Sequence, residues 1–267
     1  MERLRRMYDW GEDANGNISK PLFGEILMKL KKISDNPQCY DQRMKLVQQS
    51  LRSIGDVYSF WIENPELRKA YLTQGKQEKT MRREAQKGIQ AVHNGWYFLS
   101  NIGQHGDFVG TLSAETIRAT NGLVQGGDKT SGRFRNVDVT LDYRDYTPPS
   151  WQKVQCMVGA AITQVNELNL RNPLEAAIYA HLAIALIQPF VNGNKRTARL
   201  IQDRILDNAG LPPAIITAGE GKFYFDLLGK TAPAWRDGNP EGQKQFYDYI
   251  ASKVNNGLDE ILGDLRP

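Results

Sequence analysis

Apolar positions along this chain recur mostly at steps of three and four, the spacing that keeps side chains on one face of a helix. Leu22, Phe23, Ile26, Leu27 and Leu30 mark a helix over residues 22–32. Val47, Leu51, Ile54, Tyr58 and Trp61 mark a second one, over residues 41–61. Asn64-Pro65 ends it, because the residue before a proline is pushed out of helical backbone. Helices are expected next over residues 79–100 and 112–123, the latter with Ser113 as its N-cap. Then the period changes. Gly126-Gly127 and Ser131-Gly132 bracket a turn, and Phe134, Val137, Val139 and Leu141 supply aromatic and β-branched residues in partial alternation. That pattern predicts a short hairpin, closed by Thr147-Pro148-Pro149. Helical spacing resumes over residues 151–168 behind Ser150, and again from Asn172-Pro173 to Ile187. Another helix starts near Asn194 and stops at Asn208-Ala209-Gly210, with Pro212-Pro213 beyond. Two more are expected over residues 222–230 and 243–255. Residues 1–20, with Gly11, Asn15, Gly16 and Asn17, read as a poorly ordered lead-in. The expected fold is mostly α, with one small hairpin.

Composition narrows the class rather than the function. A chain of 267 residues fits one large domain or a domain with a helical extension. No apolar run approaches the ~20 residues that span a bilayer, so no membrane partner is expected. The net charge of +4 comes from scattered basic residues. It weakly favours an acidic or phosphorylated partner and does not make a nucleic-acid-binding case. Cys39 and Cys156 are too few for a disulfide framework or a metal cluster. A reducing, cytoplasmic setting is the default expectation, and a protein translocated by a secretion system would look the same.

The chemistry gathers between the two central helices. Asn192-Gly193-Asn194-Lys195-Arg196 is a glycine-bearing turn that feeds a helix N-terminus. Such a turn presents unpaired backbone N–H groups and the positive end of the helix dipole, which makes an anion site. Lys195, Arg196 and Arg199 add three cations in the first turn and a half. Like charges crowded there are unfavourable unless an anion joins them. The bland alternative is a solvated basic helix start.

The same stretch, with its flanks, resembles the signature of the Fic (filamentation induced by cAMP) family, HPFx(D/E)GN(G/K)RxxR. Pro189, Phe190, Gly193, Asn194, Lys195, Arg196 and Arg199 match it. Asn172-Pro173 through His181 is similar to the family's preceding helix, and Ala209-Gly210-Leu211-Pro212-Pro213 to its following stop. The segment Ser131-Gly132-Arg133-Phe134-Arg135 with Val137 and Val139 resembles the family's flap hairpin. The resemblance covers residues 79–253 and implies a Fic fold: a helical bundle with one small β-hairpin flap. It divides the chain into an N-terminal helical extension (1–75), a Fic domain (76–257) and a C-terminal tail (258–267).

Family members mostly transfer AMP from ATP onto a protein hydroxyl, and some transfer other phosphate-containing groups. The resemblance implies that Gly193, Asn194 and Lys195 form an anion hole for nucleotide phosphates, that Arg196 and Arg199 hold the outer phosphates, and that Phe190 anchors the loop. Arg133, Phe134, Arg135, Val137 and Val139 would align a target protein's segment by backbone pairing. Tyr224 and Phe225 resemble an aromatic pair beside the adenine, although two aromatics on one helix are more often core. ATP or another nucleotide is the implied ligand. Family members often dimerise, so a homodimer stays open.

Three positions depart from the family pattern. Gln188 stands where the family has the histidine that takes the proton from the attacking hydroxyl. A glutamine amide is not basic, and losing a general base typically costs on the order of 10²–10⁴ in rate. His181, seven residues earlier, lies roughly 10 Å away along the helix and reads as a packed structural histidine. Asn192 stands where an acidic residue would ligate Mg²⁺, and a neutral amide is a weaker ligand for a hard cation. The third departure concerns an inhibitory helix that many members carry, with the pattern (S/T)xxxE(G/N), whose glutamate pairs with the loop's second arginine. Its best match is taken as Ser50 to Gly55, which puts Ile54 at the glutamate position. Thr80 to Glu84 keeps the glutamate but lacks the following Gly or Asn, and is placed second. Three readings stay open: a nucleotide-binding protein with weak or no AMP transfer, an active atypical transferase, and a non-enzymatic interaction module.

Overall fold

The computed structural model describes residues 12–35, 55–72, 78–102, 111–127 and 129–263. Ten α-helical segments run through these residues. They are α1 (Lys20–Ser34), α2 (residues 55–63), α3 (Pro65–Leu72), α4 (Glu78–Ile102), α5 (Ala114–Val124), α6 (Trp151–Arg171), α7 (Pro173–Ile187), α8 (Asn194–Asn208), α9 (Gly221–Arg236) and α10 (Lys244–Gly263). None of the described helices is long and apolar enough to cross a membrane.

The sequence of α7, PLEAAIYAHLAIALI, is apolar on every side, the mark of a helix enclosed by others. It lies at the centre of the bundle, packed against α6, α8 and α10. Asn172 starts it by accepting the Glu175 N–H at 3.1 Å, with Pro173 at the first position, where no N–H is needed. At the other end Gln188 turns left-handed, at φ 51°, and its N–H closes on the Ile184 carbonyl. Five residues later Gly193, at φ 74°, starts α8. Glycine is required there twice over, by its φ and because a Cβ would lie 3.1 Å from both Asn121 and Gln125. The α7–α8 pair thus forms a sharp corner whose backbone is set by local chemistry.

Around it, α5 and α4 pack on α8, α9 packs on α10, and α1 lies along α10. Lys29 of α1 bridges Glu25 at 2.8 Å and Asp259 at 2.6 Å, which ties α1 to α10. Helix α2 is seated against α4. Gly88 leaves a notch there for the Phe60 ring, which a Cβ would meet at 1.9 Å, and the Asp56 carboxylate meets the His93 ring at 3.1 Å.

Several expectations need correction. The hairpin is absent as paired strands among the described residues: residues 133–150 run as turns and irregular backbone. The physical reason is Arg135. Its backbone N–H bonds the Pro189 carbonyl, and its buried guanidinium donates to the carbonyls of Gln188, Val137, Pro149 and Ile187. Three backbone groups of the segment are satisfied without a second strand: the Arg135 N–H by the Pro189 carbonyl, and the Val137 and Pro149 carbonyls by the Arg135 side chain. Ser150 makes no capping bond, and the Asp138 carboxylate takes the Trp151 N–H instead, at 2.8 Å. The lead-in is packed from Ala14 onward. Ile18 is fully buried, Asn17 N–H donates to Glu175 at 3.1 Å and Ser19 N–H to Asp248 at 2.7 Å. Gly16, at φ 54°, lets the chain turn against Glu175, where any Cβ would collide. Helix α10 also runs past residue 255 to Gly263, burying Leu258 and Ile261.

Candidate functional site

The corner between α7 and α8 is held from within. Asn194, the first residue of α8, is buried and accepts the Phe190 N–H at 2.9 Å. Its amide nitrogen donates to the Phe190 carbonyl and to the Gln188 side-chain oxygen, both at 2.8 Å. The Gln188 amide nitrogen donates to the Ala185 carbonyl at 2.7 Å. Both ends of the Gln188 side chain are therefore spent inside the corner, and Gln188 itself is buried. Phe190 points into the core, against Phe134 with ring centroids 5.6 Å apart. Asn192 and Val191 form the exposed tip.

The first-turn N–H groups of α8 lack helical acceptors by geometry. The neighbouring cations, however, already hold a carboxylate. Glu63, the last helical residue of α2, receives the Arg196 Nε at 3.0 Å and the Arg199 Nη2 at 2.6 Å. Arg199 also donates to the Ser59 hydroxyl at 2.9 Å and to the Ser59 carbonyl at 2.8 Å. Arg196 reaches the Val124 carbonyl at 3.2 Å. Burial alone would raise the Glu63 carboxyl pKa, but Arg199 and Arg196 outweigh it and hold it below its ordinary value. Burial pushes Lys195 below the usual lysine range, and Glu63 offsets part of this.

Sequence reading missed Glu63. Ser59-Phe60-Trp61-Ile62-Glu63-Asn64 fits (S/T)xxxE(G/N) at every fixed position. Phe60, Trp61 and Ile62 are core residues, which made the segment look purely structural. The carboxylate that meets the arginines comes from this segment and not from residues 50–55, of which Ser50 and Ile54 lie outside the described residues. Of the other candidate, the described helix α4 contains Thr80 and Glu84, both exposed.

Asn121 was also missed, and no sequence signal marks it. It is buried in α5. Its amide nitrogen donates to the Asn192 carbonyl at 3.0 Å and to the Thr197 hydroxyl at 3.2 Å, while its oxygen accepts the Gly132 N–H at 3.1 Å. One side chain thus ties the loop tip, α8 and the base of the 131–139 segment together.

Of the expected flap residues, Arg133 and Val137 are exposed and Val139 is half-buried beside the corner. Phe134 packs on Phe190, and Arg135 is consumed by the carbonyls that it caps, so it cannot serve as a free contact for a target. Of the expected aromatic pair, Tyr224 is wholly buried beneath Arg199, while Phe225 borders open space. That space is a cleft of about 830 Å³ beside the corner, lined by Tyr143, Arg144, Lys195, Phe225 and Lys230 among others. The Lys195 ammonium stands 5.4 Å over the Phe225 ring.

A hard cation prefers carboxylate oxygen. The loop offers only the exposed Asn192 amide, Glu63 is taken by two arginines, and no group of three His, Cys, Asp or Glu gathers among the described residues. These residues do not fit a magnesium site built by the protein.

Comparison with known proteins gives this corner its kin. Residues 111–206 match the family model described as the Fic/DOC family. The chain is 31% identical over 134 residues to the protein adenylyltransferase Fic of Nematostella vectensis, covering 49% of this chain and 29% of that protein. It is 26% identical over 138 residues to the protein adenylyltransferase fic-1 of Caenorhabditis elegans, covering 51% of this chain and 25% of that one. The chain thus spans less than a third of the length of these curated relatives. Among solved structures, a Fic domain containing signaling protein from Bacteroides thetaiotaomicron superposes with a TM-score of 0.73 at 16% identity, covering 89% of this chain and 96% of that one. The Caenorhabditis elegans Fic-1 structure superposes at 0.64 with 20% identity, over 89% and 72%. At these identities the structures establish the shared fold.

Proposed function

The chain belongs to the Fic/DOC family, and from that premise we propose that it is a nucleotide-binding protein whose phosphate site is closed by its own Glu63 and whose AMP transfer is weak or absent. The observation that carries this reading is the double contact of Glu63 with Arg196 and Arg199. A carboxylate on two arginines stands in for an anionic ligand. A nucleotide's outer phosphates would need the same guanidinium groups. The cleft at Lys195 and Phe225 offers room for the rest of the nucleotide.

Gln188 supports the second half of the reading. Its amide has no basic lone pair, and both of its polar atoms are already engaged. To touch an attacking hydroxyl it would have to release Ala185 or Asn194, and it still could not take the proton. The relatives named protein adenylyltransferases make ATP the first nucleotide to test and a protein hydroxyl the first acceptor.

Glu63 also favours a second reading. A carboxylate kept on the phosphate arginines suits a site whose use must be restrained, which is what an active atypical transferase would need. Calorimetry and label transfer divide the readings. ATP should bind Glu63→Gly at least roughly tenfold more tightly than the unsubstituted chain, since a ligand phosphate no longer competes with a charge-assisted bond. Little label should then pass from α-³²P-ATP to protein. Strong labelling by Glu63→Gly that vanishes on adding Arg196→Ala would establish the transferase instead. No ATP binding at millimolar concentration by Glu63→Gly would refute both and leave the interaction module.

A further inference from the structure

Behind the phosphate arginines lies a row of buried polar side chains that the anion site alone does not explain. Asp203 is a carboxylate and can only accept. The Gln202 amide nitrogen donates to it at 3.1 Å. That fixes the orientation of the amide, so the Gln202 oxygen faces His181 Nδ1 at 2.6 Å, and Nδ1 must carry the ring proton. His181 Nε2 is then a bare acceptor, 2.7 Å from the Tyr224 hydroxyl, which must donate to it. The Tyr224 oxygen therefore turns a lone pair to Arg199 Nη1 at 3.4 Å. Each link follows from the one before, and the direction never reverses. His181, Gln202 and Tyr224 are fully buried. Burial also pushes His181 down to about 3, so the ring stays neutral at ordinary pH and the chain of donors holds.

The remaining hydrogen bonds of Arg199, to Ser59 and Glu63, all fall on α2. Of these, the Glu63 contact is the one an incoming phosphate would replace. Tyr224 comes from α9 and stays, with its hydroxyl and with its ring 5.6 Å from the guanidinium carbon. A Tyr224 hydroxyl without His181 behind it would be free to point its own proton at Arg199 and repel it. We propose that Asp203, Gln202, His181 and Tyr224 form a one-way hydrogen-bond relay that keeps Arg199 aimed at the nucleotide's terminal phosphate, with His181 and Tyr224 as positioning residues. The phosphate role rests on the nucleotide-binding reading above. The polarity of the relay does not.

Two measurements test it. ATP and AMP are titrated calorimetrically into Glu63→Gly and into Glu63→Gly/Tyr224→Phe. The relay predicts roughly a tenfold loss of ATP affinity in the double variant, with AMP affinity unchanged, since AMP lacks the outer phosphates. Equal losses for both nucleotides, or no loss for ATP, would overturn it, because a merely structural tyrosine would not discriminate between them. Failure of Glu63→Gly to bind ATP at all would sink the nucleotide reading and the phosphate role together. The second measurement uses the unsubstituted chain without ligand. Nitrogen-15 shifts should show His181 neutral from pH 7 to pH 5 with its proton on Nδ1. A proton on Nε2, or a titrating ring, would overturn the relay whatever the nucleotide does.

Discussion

The two ends of the α7–α8 corner are built in opposite ways. At the arginine end, the groups are charged and their partner comes from far along the chain: Glu63 on α2, in contact with Arg196 and Arg199 on α8. At the Gln188 end, the side chains of Gln188 and Asn194 are neutral and their partners are close by, at Ala185, Phe190 and each other, while Arg135 caps only the backbone carbonyls. A charged contact with a distant element can be exchanged for a ligand without unfolding anything. A closed set of neutral hydrogen bonds has nothing to exchange. The comparison teaches that the arginine end holds an anion through contacts that a ligand's anion would also satisfy, and that the Gln188 side chain presents no base.

The largest effect should come from giving the neutral end a base. Gln188→His placed in Glu63→Gly should raise protein labelling from ATP by on the order of 10²-fold or more, measured as α-³²P transfer. No gain would mean that the two ends do not cooperate, and would locate a second block at Asn192. Breaking the neutral end should cost stability without freeing the arginines. Asn194→Ala leaves the buried Phe190 N–H and carbonyl unpaired, for a loss of about 3 kcal/mol in chemical denaturation. A loss below about 1 kcal/mol would show that water or relaxation replaces the staple.

Acid should separate the layers in turn. His181 has an ordinary value of 6.5 but sits near 3 when folded, so the unfolded chain takes up a proton that the folded one refuses. Stability from this source is complete above about pH 6.5 and falls as pH drops toward 3, by up to about 1.4 kcal/mol per pH unit. Glu63 is held below its ordinary 4.5, so its ion pairs are whole above that pH and are lost only as pH falls through the lower folded value. Between pH 6 and 5 the slope should therefore belong to His181 and flatten in His181→Asn. A Glu63→Gln variant should be less stable by a constant amount above about pH 4.5, with the difference shrinking only below that pH. A Glu63→Gln difference that already changes between pH 6 and 5 would contradict this ordering.

How much of this was legible in the sequence follows the same division. The course of the chain through the corner was legible, because Asn172-Pro173, the apolar run of α7 and Gly193 are local signals that act within a turn or two, whereas the side-chain bonds of Gln188 and Asn194 were not. The expected phosphate residues do share the corner. The partner of the arginines was not legible as such, because 133 residues separate Glu63 from Arg196 and its neighbours Phe60, Trp61 and Ile62 look like any buried stripe. The pattern from Ser59 to Asn64 carried the signal in six residues. The hairpin is a different case, with no paired strands among the described residues of its segment. Alternation in Phe134, Val137 and Val139 reports side-chain character, and it cannot report whether a second strand is near. Here Arg135 took the hydrogen bonds that such a strand would have supplied.

Gly88 bears on the resting state of the whole site. Its missing side chain is the socket for Phe60, three residues before Glu63. Alanine there would gain about 1 kcal/mol of helix propensity while forcing the Phe60 ring out, two effects of opposite sign on stability. The melting temperature could stay nearly level while the carboxylate loses its footing over the arginines. One hydrogen atom's worth of space on α4 thus seats the end of the helix from which Glu63 reaches the arginines.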